Sequence, residues 1–257
     1  MQLLEEYKEL IERDAHEILR LWKYAQMFLY LLSAISGYIC SFLFYVLKEH
    51  IFGGNCPFWA TSSLMLNQES GPDCILNSCT TISNWWRYII IDYPDDILCE
   101  VYLMTCFLSC LFGIVWFTLF LMCGKGGHYV SIYEGPWRIV VPAMFFNFVF
   151  VIICMFAHYN LGEGYEAFQE SIIDVSSEIY NIYEIVADVS DCEIIKMYMN
   201  MSNYNVHSMC NMMSYLQVFS VIMVCSWISG LIILILRVLT VSDFTVLRIR
   251  IYEIKEE

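Results

Sequence analysis

The sequence predicts an all-α membrane protein: a four-transmembrane-helix bundle with disulfide-stabilised extracellular or lumenal loops and an amphipathic lumenal helix. Three observations predict it. The composition is 59% hydrophobic and 16% charged, with a mean hydropathy of +0.57, against about 45–50% and about 25% in soluble domains. Four apolar runs, residues 24–47, 101–122, 139–157 and 216–236, each come near the roughly 20 residues that a helix needs to cross about 30 Å of hydrocarbon. Basic residues gather in alternate connecting segments, as they do when those segments stay on the cytosolic side. The 257 residues therefore read as a single four-span domain.

Residues 1–23 open the chain. Leu3, Tyr7, Leu10, Ile11, Ile18, Leu21 and Trp22 fall on a helical stripe, with Glu9, Arg13 and Glu17 at steps of four, so a cytosolic helix is expected here. The first span follows this polar stretch. It is too long for a signal-peptide core and lacks a small-x-small cleavage site, so it is expected to stay as an anchor. Lys8, Arg13, Arg20, Lys23, Lys125, Arg138, Arg237, Arg248, Arg250 and Lys255 then define one side of the membrane. That side is the cytosol, with both termini in it, and the loops 48–100 and 158–215 lie outside the cell or in a lumen. The outside loops hold 16 of the 27 acidic residues but three of the 13 basic ones, Lys48, Arg87 and Lys196. Nucleic acid and an anionic lipid surface are thereby excluded as partners of that face. The host membrane is the plasma membrane or one of the secretory pathway.

The first outside loop carries Cys56, Cys74 and Cys79, Cys99 stands at the mouth of span two, and the second loop adds Cys192 and Cys210. Six cysteines in an oxidising compartment predict two or three disulfides, whose pairing among fifteen ways stays open. No C-x-x-C and no paired histidine spacing points to a redox or metal site. Cys40, Cys106, Cys110, Cys123, Cys154 and Cys225 lie in or beside spans and read as small apolar residues. The sequon at Asn200 is a glycosylation candidate, and Asn77 a weaker one.

Within the spans, ionisable residues of the kind that mark pumps and channels are almost absent. Glu100 and Arg237 sit at span ends, and Asn147 is the one strongly polar side chain near a span centre, where an interhelical hydrogen bond is its expected use. Ser33, Gly37 and Ser41, then Thr105, Ser109 and Gly113, then Ser226 and Gly230 recur at steps of four. Such steps permit close helix approach within the bundle or against a partner's spans. The turn "GKGGH" at residues 124–128 lacks the Walker spacing, and no nucleophile with a base at hand can be assembled. Neither an enzyme activity nor a cofactor or metal is expected.

The second outside loop contains an acidic segment, residues 165–191, without a basic residue. Its apolar residues Tyr165, Phe168, Ile172, Val175, Ile179, Ile182, Val186 and Val189 alternate by three and four, which is the seam of a helix. Gly162 and Gly164 are expected to break this helix from span three. Glu166, Glu170, Asp174 and Glu178 recur every four residues on the other side, a mildly self-repelling stripe. The stripe is either a solvated face or a docking face for a basic partner or Ca²⁺, although no EF-hand loop is present. The seam is expected to pack on the first outside loop, whose residues 84–93 are aromatic and β-branched, or on another protein. The tail, 237–257, alternates like a strand through "TVLRIRIYEIK" but also fits a helix through Phe244, Leu247, Ile251 and Ile254.

"GNC" at Gly54 to Cys56, Cys99 opening span two, and "WFTLFLMCGKG" from Trp116 to Gly126 resemble stretches of the transmembrane protein 179 family, as do "CE" at Cys192 and "SW" at Ser226 and Trp227. The resemblance implies a four-span multipass membrane protein and names no activity. The expected function is that of a non-enzymatic accessory subunit or organiser, in contact with the bilayer and with a membrane-protein partner or a second copy. The alternative is a homo-oligomeric channel whose acidic stripe and Glu100 draw cations to its mouth.

Overall fold

A backbone that meets lipid must satisfy its N–H and C=O groups within its own segment, so long apolar runs become helices. The computed structural model describes residues 2–12, 20–64, 89–122, 137–182, 195, 209–240 and 244–253. In chain order they form β1 (Gln2–Glu12), α1 (Arg20–Val46) continued by a π turn (Leu47–Ile51), β2 (Thr61–Leu64), β3 (Ile89–Asp92), α2 (Ile97–Met122), α3 (Trp137–Ile182), α4 (Met209–Leu239) and β4 (Phe244–Glu253). The four helical stretches Leu21–Ile51, Ile97–Met122, Ile139–Ser177 and Met209–Leu239 are long and apolar enough to cross a membrane. Large apolar side chains such as Phe28, Phe42, Phe107, Phe145, Phe148 and Val218 remain exposed along them. Water would penalise that surface, whereas lipid would not.

The chain divides into two compact units, the first made of Met1–Ile35, Ser109–Ile153 and Ile222–Glu257. Its core is aromatic. Tyr30 packs against Trp116, Phe120 and Trp227 at ring separations of 6.2, 5.5 and 5.8 Å, and Phe150 stacks on Trp227 at 4.6 Å. The small residues are spent inside this unit. A Cβ on Gly113 would meet the Tyr30 carbonyl oxygen at 2.9 Å and Ala34 Cβ at 3.0 Å, so only glycine permits that approach of α2 to α1. Ser109 Oγ accepts a 2.8 Å hydrogen bond from Trp227 Nε1.

The unit also corrects the expected N-terminal helix over 1–23. Residues Gln2–Glu12 are a strand, and α1 begins at Arg20. β1 pairs antiparallel with β4, from Gln2 opposite Glu253 to Glu12 opposite Phe244, with an irregularity between Leu3 and Glu5. The same pairing settles the tail as a strand. Helical periodicity loses to a ladder in which each strand completes the other's hydrogen bonds.

The second unit comprises Ser36–Leu108 and Cys154–Val221. Here α1 ends in its π turn, where the Phe52 N–H donates to the Leu47 carbonyl at 3.1 Å, and Gly53 and Gly54 follow at φ 61° and 88°. Those left-handed angles suit glycine and turn the chain sharply out of the helix. The Cys56–Cys99 disulfide then fastens the segment to the start of α2. Phe44, Phe58 and Tyr102 are fully buried around it, with ring separations of 4.7 to 5.9 Å. Lys48 and Asp96 add a 3.6 Å ion pair, and β2 pairs antiparallel with β3 from Thr61 opposite Asp92 to Leu64 opposite Ile89.

α3 corrects a second expectation. It runs without interruption for 46 residues through Gly162 and Gly164, so the acidic helix is the continuation of span three rather than a separate element. A glycine costs a helix about 1 kcal/mol relative to alanine. At Gly164 that cost is offset by contact, because a Cβ there would stand 3.0 Å from Trp59 Nε1 and 3.2 Å from Phe58 Cβ.

Candidate functional site

The acidic stripe is displayed on the part of α3 that belongs to the second unit. Glu166, Glu170 and Asp174 are exposed, and no basic side chain pairs with them among the described residues. Glu178 lies on the same helix, with its side chain outside the described residues. The alternation of threes and fours that builds the seam puts Tyr165, Phe168 and Ile172 inside, at 3%, 0% and 0% exposure. One helix thus carries a buried stripe and a charged stripe, as its periodicity requires.

Residues 52–62, from the end of the π turn into β2, hold the buried stripe. Phe168 meets Phe52 edge-on at 5.7 Å. The Trp59 backbone N–H donates to the Gly164 carbonyl at 2.9 Å, and its indole Nε1 donates to Asn160 Oδ1 at 3.5 Å. Ser62 and Ser171 close a ring of three bonds. The Ser62 N–H donates to Ser171 Oγ at 2.6 Å, the two hydroxyls meet at 2.9 Å, and Ser62 Oγ donates to the Ser171 carbonyl at 2.6 Å. Trp59 itself adopts φ 60°, a left-handed angle uncommon for a bulky residue. Such angles persist where surrounding contacts over-determine them. Around Gly164, Phe168 and Ser171 the helix thus meets Phe52, Trp59 and Ser62, which the sequence did not single out, while residues 84–88 of the expected platform lie outside the described residues. The double glycine at 53–54 was the available signal for a sharp turn here. Nothing in the local pattern marked Trp59, Ser62 or Ser171.

Of the six cysteines expected in disulfides, Cys56 and Cys99 are bonded to each other and Cys210 is also disulfide-bonded. Cys74, Cys79 and Cys192 lie outside the described residues, as do Asn77 and Asn200. Cys40, Cys106, Cys110, Cys154 and Cys225 are free thiols. Among the described residues no three His, Cys, Asp or Glu side chains come together as a metal site would require. Glu100 is exposed on the first turn of α2.

A second polar constellation lies in the first unit, on helices long and apolar enough to cross a membrane. Asn147 Nδ2 donates to the Tyr30 hydroxyl and to the Ala143 carbonyl, each at 2.7 Å, which makes it the interhelical link expected of it. The Gln26 side chain also bonds to Tyr30, while Asn147 Oδ1 and Trp116 Nε1 are buried without a hydrogen-bond partner. Each such group left unpaired costs about 1–3 kcal/mol. Gln26, Asn147 and Trp116 around one tyrosine make this the polar centre of the unit.

Comparison of the chain with protein-family models, with curated proteins and with solved structures finds no match.

Proposed function

We propose that this protein is a non-enzymatic multipass membrane protein that serves as an accessory subunit or organiser of a larger membrane complex. Its termini face the cytosol, its loops 48–100 and 158–215 face outward, and its partner presents a basic surface to Glu166, Glu170, Asp174 and Glu178. The resemblance to the transmembrane protein 179 family is part of this reading.

One observation carries it. Tyr165, Phe168 and Ile172 of the apolar seam are buried where α3 meets Phe52, Trp59 and Ser62, while Glu166, Glu170 and Asp174 stay exposed beside one another. A helix held this firmly presents its charges at fixed spacing, which lowers the ordering cost of binding. Beyond residue 157 the helix extends for roughly 38 Å at about 1.5 Å per residue, far enough to carry the stripe clear of the hydrocarbon. The disulfides at Cys56, Cys99 and Cys210 support an oxidising compartment for that end. The seams at Gly113, Ser109 and Gly230 make contacts inside the chain, so the stripe rather than the spans is the proposed contact.

The test is mass spectrometry of what co-purifies from native membranes in mild detergent, with wild type compared with the form carrying Glu166→Gln, Glu170→Gln, Asp174→Gln and Glu178→Gln. A stoichiometric partner is expected with wild type and not with the Gln form. Its recovery should fall as salt is raised, because exposed charge pairs are screened within about 10 Å at 0.1 M. Equal recovery from both proteins would return the stripe to a solvated face and leave a self-assembled channel as the reading to test by conductance in pure lipid.

A further inference from the structure

β1 and β4 make a ribbon of two strands, and among the described residues neither strand has a second neighbour. A lone ribbon of this kind is marginal in water, and a third strand or other packing is what makes a sheet stable by itself. Each strand also leaves part of its backbone N–H and C=O groups along an open edge, which is a template for another strand.

The two edges differ in chemistry. β1 carries Glu5, Glu6, Glu9 and Glu12 together with Lys8, and its register shifts between Leu3 and Glu5. Charges, a lysine and an irregularity are the features that keep an edge strand from pairing. β4 reads FTVLRIRIYE, is mostly β-branched and aromatic, and continues through every position of the ladder. That composition suits a strand with neighbours on both sides. β1 is thus built as an outer strand, and β4 as an inner strand with one neighbour missing.

A second copy of the chain supplies that neighbour. If β4 lies antiparallel to β4 with Phe244 opposite Glu253, a twofold axis falls between Arg248 and Ile249. Arg248 then stands opposite Ile249, Arg250 opposite Leu247, Val246 opposite Ile251 and Thr245 opposite Tyr252. No arginine opposes an arginine, and the β-branched and aromatic residues oppose one another, which is how cross-strand pairs stabilise a sheet. Pairing through β1 would instead set two strands of four glutamates edge to edge, with like charges close together. Pairing β1 of one copy with the open edge of β4 of another matches charge but leaves a free edge at either end, so it does not close in a pair. We propose that the β4 strands of two copies pair antiparallel in this register, making a four-stranded sheet of order β1-β4-β4-β1 that joins two chains near their ends. The contact is independent of the acidic stripe on α3 and of what that stripe binds.

The experiment is cysteine trapping in native membranes of cells that express two differently tagged copies of the full chain, one with Leu247→Cys and the other with Arg250→Cys. Opposed residues of an antiparallel pair lie about 4.5–5.5 Å apart at Cα, within the reach of a disulfide. Mild oxidation is expected to give a covalent dimer carrying both tags, in which mass spectrometry of the digested chain finds position 247 joined to position 250. Leu247→Cys with Val246→Cys, four positions out of register, should give none. Absence of the 247 to 250 link, or an equal yield from the out-of-register pair, would overturn the proposal. A link between Glu9→Cys of one copy and Leu247→Cys of the other would show strands exchanged between copies, and would overturn it too. Native mass spectrometry of the unsubstituted chain in mild detergent keeps the answer free of any damage done by the substitutions: a dimer is expected, and a monomer would overturn the proposal.

Discussion

Two glycines with one residue between them separate helix propensity from packing. Gly162 has open space where a Cβ would stand, whereas Gly164 faces Trp59 and Phe58 at 3.0 to 3.2 Å. Trp59 cannot step aside freely, because its N–H is bonded to the Gly164 carbonyl and its backbone is held at φ 60°. Gly162→Ala should therefore gain the propensity difference of about 1 kcal/mol, read as a Tm rise of about 2–4 °C in detergent. Gly164→Ala should lower Tm in spite of the same gain, and Gly164→Leu should lower it further. Equal behaviour at the two positions would mean that Trp59 yields and that the contact does not matter. The glycines were legible in the sequence as weak points of a helix. Their opposite roles were not, because the partner of Gly164 lies more than a hundred residues earlier in the chain.

Elements show the same division between local and distant information. The seam of threes and fours was enough to place Tyr165, Phe168 and Ile172 on a buried face, since helical geometry alone decides which residues share a side. It could not say which segment covers that face. β2 shows how the choice is made: the Ser62 backbone and hydroxyl bond to Ser171, so the strand is tied to the helix as well as to β3. Thermal unfolding of Ser62→Ala, Ser171→Ala and the double variant tests this tie. Because the ring breaks once either hydroxyl goes, the double variant should lose little more stability than the worse single one, with a coupling of about 0.5–2 kcal/mol. Additive losses would mean that the two serines act separately. β1 marks the limit of local reading. Its apolar spacing fits a helix as well as a strand, and only β4, at the other end of the chain, decides between them.

At the level of the molecule, that pairing bears on topology independently of charge. The Gln2–Glu12 and Phe244–Glu253 strands are hydrogen-bonded along nearly their whole length, as the proposed placement of both termini on one side of a membrane requires. Among the described residues four helices are long and apolar enough to cross a membrane, an even number that fits the same placement. The excess of Lys and Arg beside the ends assigns that side to the cytosol in the proposed reading. A two-stranded ribbon alone is only marginally stable in water, so its register is the feature most in need of a direct test. Opposed residues of an antiparallel pair stand about 4.5–5.5 Å apart at Cα, within the reach of a disulfide. Glu6 is opposite Arg250 and Lys8 is opposite Arg248. The double variants Glu6→Cys/Arg250→Cys and Lys8→Cys/Arg248→Cys should therefore form an intramolecular disulfide under mild oxidation in membranes, detected by mass spectrometry of the digested chain. Glu6→Cys paired with Val246→Cys, four positions out of register, should not. Efficient bonding of the out-of-register pair would overturn the ladder. Bonding in register would bring the two ends together, and maleimide labelling of the single cysteine variants in sealed vesicles would then report which side they share.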